Sequence, residues 1–341
     1  MSTHHYEMIL FNIEESSHIP KYKQVIDSIL RAIENKELRQ NQKIPSINEI
    51  SKKFSLSRDT VMTAFNNLQS RGIIISRPGK GYYVANLNVS SKRKIFLLFD
   101  KLTSYKETLF DSFKNHLKRQ ATVEMYFHNF NVKTFETLIR ESVGHYTDYA
   151  IMPIPSKSIS EFIKLVPKDK LYILDRGRHL YGQSYPSVCQ SFKKDIYNAL
   201  ITGTELLKKY NKLVILIPEL GHTPTDLQRG FKEYCLEYKI EYAITKKSPE
   251  FHIIKGEAYL VLDDNSLVNL VQQANEKQFQ LGKDVGIISY NDTPLKSIVA
   301  NGITTISTDF AIMGETLADL IIHKRKSHIE NPCSLIIRNS L

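Results

Sequence analysis

Apolar residues in the first quarter of the chain recur at helical spacing. Pro20 can open a helix on which Val25, Ile26, Ile29, Leu30 and Ile33 share a face. In the stretch PSINEISKKFSLSRDTVMTAFNNLQSRGIIISRPGKGYYV, Ile47, Ile50 and Phe54 fall at i, i+3 and i+7, with Asn48, Lys52 and Lys53 facing outward. Ser46 and Glu49 have the spacing of a capping box, which predicts where this helix starts. Leu56 fills a turn. Ser57 then caps a second helix with Val61, Ala64, Phe65 and Leu68 inside, ending at Arg71 and Gly72. Ile73, Ile74 and Ile75 have strand composition, and Arg77-Pro78-Gly79-Lys80-Gly81 turns the chain into Tyr82-Tyr83-Val84. The order is that of a winged helix-turn-helix, which we place over residues 1–85.

Residues 86–94 form a polar stretch without apolar pattern and are expected to be a linker. From Ile95 to the end the pattern changes: short apolar runs (IFLLF, VEMYF, YAIMPI, LYILD, VCQSF, KLVILI, YAIT, YLVL, DVGIIS) alternate with helical patterns such as LFDSFKNHLK, FETLIRESV and DIYNALITGTELLKKY. Strands this uniformly apolar are covered on both faces, so residues 95–341 are expected to be α/β with mainly parallel sheets. Ligands of such sheets sit beyond the carboxyl ends of the strands. Asp100, Asp175 with Arg176, Gln190, Asp263 with Asp264, and Asn291 with Asp292 follow the apolar runs and are candidate ligand contacts.

Charge sharpens the reading of the first domain. Residues 1–93 hold 14 Lys and Arg against 8 Asp and Glu, a balance of +6 out of +10 for all 341 residues. Basic excess of this kind suits duplex DNA, whose binding releases counterions. Helix-turn-helix proteins set the first turn of the second helix against base edges, which makes Arg58 the candidate base reader, since a guanidinium matches O6 and N7 of guanine. Ser46, Asn48, Ser57, Thr60 and Thr63 are candidate contacts around the two helix N-termini, with phosphates the expected partners of the hydroxyls. Arg77, Lys80 and Gly81 would place the hairpin tip in a minor groove or along phosphates. In the second domain, a set of carboxylates and amides with one guanidinium suits a neutral polyhydroxylated ligand. Mostly acidic strand ends disfavour an anion by Coulomb repulsion.

The stretch from IPKYKQVIDSIL through RPGKGYYV resembles the DNA-binding domain of the GntR (gluconate repressor) family, with its PS helix start, SRxTV recognition-helix start and GxG wing. Asn48 and Met62 stand where that family usually has arginine, so the operator sequence is not carried over. Residues 95–341 resemble the effector domain of the lactose/galactose-repressor family, itself similar to two-lobed periplasmic sugar-binding proteins. DVGIISYNDTPLKSIVANGITTISTDFAIMGETLADLII and NPCSLIIRNS carry most of that likeness. It implies effector contacts at Asp100, Asp175, Asp263, Asn291, Thr308 and Phe310, the last able to stack on a pyranose face. Leu227 stands where that family commonly has an arginine, leaving Arg176 or Gln190 to supply the contact. The combination is similar to arabinose-repressor-type regulators.

These resemblances imply a ligand-responsive transcriptional regulator, a repressor and homodimer on palindromic operator DNA. Its effector would be a monosaccharide or short glycan breakdown product; a sugar phosphate, sugar acid or nucleoside is the alternative. No catalytic residues, metal or cofactor are called for. GxxxxGKS/T, GxSxG and HExxH are absent, as is a lysine context for the pyridoxal-phosphate body that some GntR-headed chains carry. Cys189, Cys235 and Cys333 have neither metal-ligand spacing nor a disulfide framework, which fits a reducing cytoplasm. No apolar run reaches the roughly 18 residues of a membrane span. His4 and His5 are given no role.

Overall fold

The computed structural model describes residues 11–341 except 86–92, 119, 144, 178–180, 182–183, 219–222, 247 and 249. The head contains α1 (Lys21–Glu34), α2 (Ile47–Lys53), α3 (Arg58–Ser70) and the antiparallel pair β1 (Ile74–Arg77) and β2 (Gly81–Val84). Its core is the expected set: Val25, Ile29, Ile50, Val61, Ala64, Phe65 and Leu68 are sealed from solvent, with Phe54 and Leu56 packed at the margin. The capping box is complete, with Ser46 N donating to Glu49 Oε2 at 2.6 Å and Glu49 N donating to Ser46 Oγ at 3.3 Å. Gly72 ends α3 in the left-handed region at φ +66°, which glycine alone enters without cost.

Strand β3 (Arg93–Phe99) opens the body. Arg93 and Lys94 are therefore strand residues, paired with Ala121 and Thr122, rather than the end of a linker. The rest of the expected linker, 86–92, lies outside the described residues. The first lobe continues through α4 (Ser104–Leu117), β4 (Ala121–Phe127), α5 (Val132–Ser142), β5 (Asp148–Ile151), β6 (Leu171–Asp175) and β7 (Ser187–Cys189). The chain then crosses to a second lobe of α6 (Phe192–Thr202), β8 (Lys212–Ile217), α7 (Thr225–Glu237), β9 (Glu241–Lys246), β10 (Glu257–Val261), α8 (Asp264–Glu276), β11 (Gly286–Tyr290) and β12 (Thr304–Thr308). It returns to the first lobe for α9 (Phe310–Ile322) and β13 (His328–Glu330), and crosses once more into β14 (Cys333–Ile336).

All nine apolar runs form strands. The first sheet has the order β13-β7-β6-β5-β3-β4 and is parallel throughout; the second has the order β14-β12-β11-β10-β8-β9, with β14 alone antiparallel. Helices cover both faces of each sheet, so β5, β6, β11 and β12 are buried along their whole length. The pattern DIYNALITGTELLKKY is two helices rather than one. The break falls at Gly203, where β14 packs so closely that a Cβ would lie 2.9 Å from Leu335 Cδ2.

The three crossings between lobes are hydrogen-bonded to one another. Asn331 N donates to Cys189 O and Asp309 N donates to Pro332 O, both at 2.9 Å. The head rests on the first lobe through Asp27 with Lys170 at 2.9 Å and Glu34 with Lys324 at 2.8 Å. Ile19 packs against the apolar core of that lobe.

Candidate functional site

Two faces of the molecule gather the candidate residues. On the head, α3 buries Val61, Ala64, Phe65 and Leu68, and the helical period turns Arg58, Asp59, Met62, Thr63, Asn66 and Asn67 to solvent. Asn48 on α2 is exposed beside it. Ser57 Oγ accepts from Thr60 N at 3.1 Å and lies 2.7 Å from Thr60 Oγ1, while Thr63 Oγ1 donates to Asp59 O at 2.8 Å. These hydroxyls are held in place by the helix start itself, with lone pairs to spare.

In the wing, Gly79 at φ +71° and Gly81 at φ +100° allow the tight reversal. Arg77 is held against the hairpin: its guanidinium stacks 4.5 Å from the Tyr83 ring centroid and donates to Asn41 Oδ1 at 3.0 Å. Lys80 is exposed at the tip. Lys43, which sequence reading missed, pairs with Tyr83 as a bridge to the wing and adds an exposed cation there.

Between the lobes lies a cleft of about 480 Å³. Asp100, Asp175, Arg176, Gln190, Asp263 and Asn291 all line it, as the strand-end argument predicted. Their placement follows from the topology: β3 and β6 run parallel in the first sheet and β10 and β11 run parallel in the second, and each releases the chain into the cleft at its carboxyl end. Asp175 at φ +67° and Asn291 at φ +61° are the first residues to leave the regular extended path, one in each lobe. Such strained positions cluster at functional sites.

Asp100 is buried at 1% exposure, its Oδ1 accepting from Lys101 N at 2.6 Å and from Lys106 Nζ. Burial opposes its charge, but Lys106 and Arg176 outweigh that and hold the carboxyl below the usual aspartate range. Arg176 Nη2 lies 3.5 Å from Asp100 Oδ2 and Nε 3.4 Å from Asp175 Oδ2. The two carboxylates overcome the burial penalty and raise the pKa of the guanidinium, which stacks 5.5 Å from the centroid of Phe130. Gln190, on the first crossing, donates to Asp175 Oδ1 at 2.5 Å and accepts from Tyr290 Oη at 3.1 Å. Asn291 Oδ1, buried on the second-lobe wall, has no hydrogen-bond donor among the described residues, while Asp100 Oδ2 on the first-lobe wall is met by Arg176 as an ion pair rather than by a hydrogen bond.

Three expected effector contacts are corrected. Asp292 turns away from the cleft and is gripped by Arg338, with Nη1 to Oδ1 and Nη2 to Oδ2 both at 2.8 Å. Thr308 donates to Pro332 O at 3.2 Å and serves the second crossing. Phe310 is 5% exposed in the first-lobe core, its ring centroid 4.7 Å from that of Tyr105. Asp263 lines the cleft but also caps α8, accepting from Ser266 N at 2.9 Å and Ser266 Oγ at 2.6 Å.

Sequence reading also missed Lys106, Tyr105, Phe130 and Tyr290 in the lining. A signal existed for Lys106: a lysine in the first turn of a helix opposes the macrodipole and needs a local anion. Phe130 has none, because its position depends on buried His128. The His128 ring accepts from Phe130 N at 3.0 Å through Nδ1, and its Nε2 lies 3.0 Å from Met152 O, the arrangement of an Nε2-protonated ring donating to that carbonyl.

Residues 21–84 match the profile of bacterial regulatory proteins of the gntR family, and residues 208–341 match the periplasmic binding protein-like domain. The chain is 36% identical to the arabinose metabolism transcriptional repressor of Geobacillus stearothermophilus, over 94% of this chain and 98% of that one. It is 34% identical to the transcriptional repressor NagR of Bacillus subtilis over 29% of this chain, spanning 38% of NagR's length. With the Bacillus subtilis regulator YdfD it shares 40% identity over 20% of this chain, spanning 14% of that one. Among solved structures, a Lac repressor dimer bound to operator and the anti-inducer ONPF superposes with TM-score 0.60 at 16% identity, over 73% of this chain and 94% of that one. A LacI family regulator from Silicibacter pomeroyi gives TM-score 0.61 at 15% identity, over 73% and 98%. At such identities these two likenesses speak to fold alone. The near full-length relative decides the family: the chain belongs to the arabinose-repressor type of regulators, in which a GntR-type winged head is joined to a periplasmic-binding-protein-like body.

Proposed function

We propose that this chain is a cytoplasmic transcriptional repressor that binds operator DNA through its head and is controlled by a small neutral carbohydrate held between the lobes. The observation that carries the carbohydrate reading is a cleft lined from both lobes by carboxylates and amides, among them Asn291 Oδ1, a buried acceptor with no hydrogen-bond donor among the described residues. A buried acceptor left without a donor costs about 1–3 kcal/mol, and sugar hydroxyls supply donors where an ionised phosphate or carboxylate cannot. Closing the lobes on such a ligand would change the packing of the first lobe, on which the head rests, and couple the two sites.

A homodimer would present two heads to a palindromic operator. Leu295 at 68%, Ile298 at 70% and Val268 at 53% exposure support one face for it. A Lys296–Asp264 ion pair at 3.0 Å holds together the segments that carry them.

A second reading, a sugar phosphate, sugar acid or nucleoside, draws support from Lys101, Lys106 and Arg176 in the lining. It is the weaker one, because Lys106 and Arg176 are already matched by Asp100 and Asp175. A thermal-shift screen of the full chain against neutral sugars, sugar acids, sugar phosphates and nucleosides separates the two, since a ligand bound only by the folded state raises Tm. A shift by a neutral sugar supports the proposal. A shift confined to anionic compounds or nucleosides replaces it with the second reading.

A further inference from the structure

The wing is broader than the hairpin that forms its tip. The segment before α2 runs along the other edge of β2: Asn41 N donates to Val84 O at 2.8 Å, Val84 N to Gln42 O at 3.0 Å and Ile44 N to Tyr82 O at 2.9 Å, with Lys43 opposite Tyr83. Alternation then sorts the side chains between two faces. Ile44, Ile74 and Val84 turn inward and are buried, and Tyr82 packs on Phe65. Lys43, Tyr83 and Gly81 turn outward, with Ile75 opposite Tyr83 and Arg77 opposite Gly81 on β1.

Contacts on this outer face hold its cations in place. Arg77 lies over the Tyr83 ring, and Tyr83 Oη donates to Lys80 O at 3.3 Å, which ties that ring to the tip. Lys43 reaches from its own strand to the end of the hairpin: a Cβ on Gly81 would lie 3.2 Å from Lys43 Cε and 3.9 Å from Nζ. Gly81 thus leaves the room in which the lysine stem lies, besides making the turn. Residues 39–44 and 73–85, which make up the wing, contain Arg39, Lys43, Arg77 and Lys80 and no Asp or Glu.

Resting on the reading of the head as a DNA-binding domain, we infer that Lys43 is a phosphate contact of this outer face, seated there by Gly81. It precedes α2 and so belongs neither to the helix-turn-helix nor to the hairpin. With its stem laid over Gly81, the ammonium stays at the level of the wing surface, where the wall of a groove presents phosphates. A point charge on phosphate carries no sequence information. Its contribution is to affinity on every duplex and to the dependence of binding on salt, through counterion release.

The test is fluorescence polarisation of the full-length chain on two labelled random-sequence duplexes, one A·T-rich and one G·C-rich, at salt concentrations from about 50 to 200 mM. Lys43→Gln should lower the slope of log K against log salt by about one unit and weaken both duplexes alike, roughly five- to ten-fold near 0.1 M salt. Its Tm should stay native, because Lys43 is exposed. Lys43→Arg should keep the native slope. Lys208→Gln, which takes the same charge from an exposed site on the second lobe, should leave the slope unchanged. A native slope in Lys43→Gln, or a fall matched by Lys208→Gln, would overturn this inference and leave the DNA-binding reading standing. So would a loss confined to the A·T-rich duplex, the mark of a minor-groove contact. A native chain that binds neither duplex would overturn both.

Discussion

Tyr290 Oη donates a 3.1 Å hydrogen bond to Oε1 of Gln190, and the amide of Gln190 in turn donates to Asp175. Tyr290 ends β11 of the second lobe, Gln190 lies on the first crossing and Asp175 ends β6 of the first lobe, so one amide links both walls of the cleft across the hinge. Tyr290→Phe removes the donor and leaves Gln190 Oε1 without it. We expect a loss of about 1–3 kcal/mol in the stability of the body. The ligand should still bind, with less effect on operator affinity. Urea unfolding and operator titrations with and without ligand measure the two quantities; an unchanged ligand effect would remove Gln190 from the path between lobes.

Arg58 and Lys80 should separate reading from holding. Arg58→Ala is expected to cost about 1–3 kcal/mol on the cognate operator and to relax its sequence preference. Lys80→Ala should weaken all duplexes alike and lower the salt slope by about one unit. Binding isotherms on operator and scrambled duplexes at several salt concentrations distinguish them. A scrambled duplex weakened as much as the operator by Arg58→Ala would show that Arg58 contacts phosphate.

Asn291 and Asp292 are neighbours with opposite expected roles. Asn291→Gly removes the amide without straining a backbone at φ +61° and should weaken ligand binding with little change in stability. Asp292→Asn breaks the two-pronged pair with Arg338 and should lower stability while leaving ligand affinity intact. Titration calorimetry and denaturation of both variants give the answer, and the reverse pattern would place Asp292 at the ligand.

His128 gives the cleft a pH dependence. Burial holds its imidazole below the ordinary 6.5, with the Met152 carbonyl and Asp100 working weakly in the other direction. The folded state thus binds it neutral, while the unfolded chain takes up a proton near pH 6.5. Its contribution to stability is therefore present above about pH 6.5 and is lost as pH falls below that value. Tm measured from pH 7.5 to 5.5 should fall more steeply for the native chain than for His128→Gln, and parallel curves would show that the ring titrates freely.

Leu295→Glu with Ile298→Glu should convert a dimer into monomers without altering ligand affinity, because both side chains lie outside the cleft lining. Sedimentation at micromolar concentration reads the change. A dimer that persists in the double variant would assign the interface to another face.

Much of the architecture is written in local pattern. Ile47, Ile50, Val61, Phe65 and Leu68 specify the head because helical periodicity and capping are short-range effects. The apolar runs specify nine of the strands because central strands such as β5, β6 and β11, covered on both faces, read as continuous apolar stretches. Asp100, Asp175, Gln190 and Asn291 were legible as cleft residues since the parallel strands of each sheet release their chain at their carboxyl ends.

Tertiary structure decided what those strand-end residues do. Sequence alone could not tell Asn291, which faces the cleft, from Asp292, which is claimed by Arg338 from 46 positions further along the chain. Nor could it seat Phe130, fixed through His128 and Met152, or send Phe310 into the first-lobe core after the chain crosses back. The physical reason is range: capping, periodicity and burial act within a few residues and survive in the sequence. Which polar atoms are left without a partner depends on side chains brought together by all three crossings.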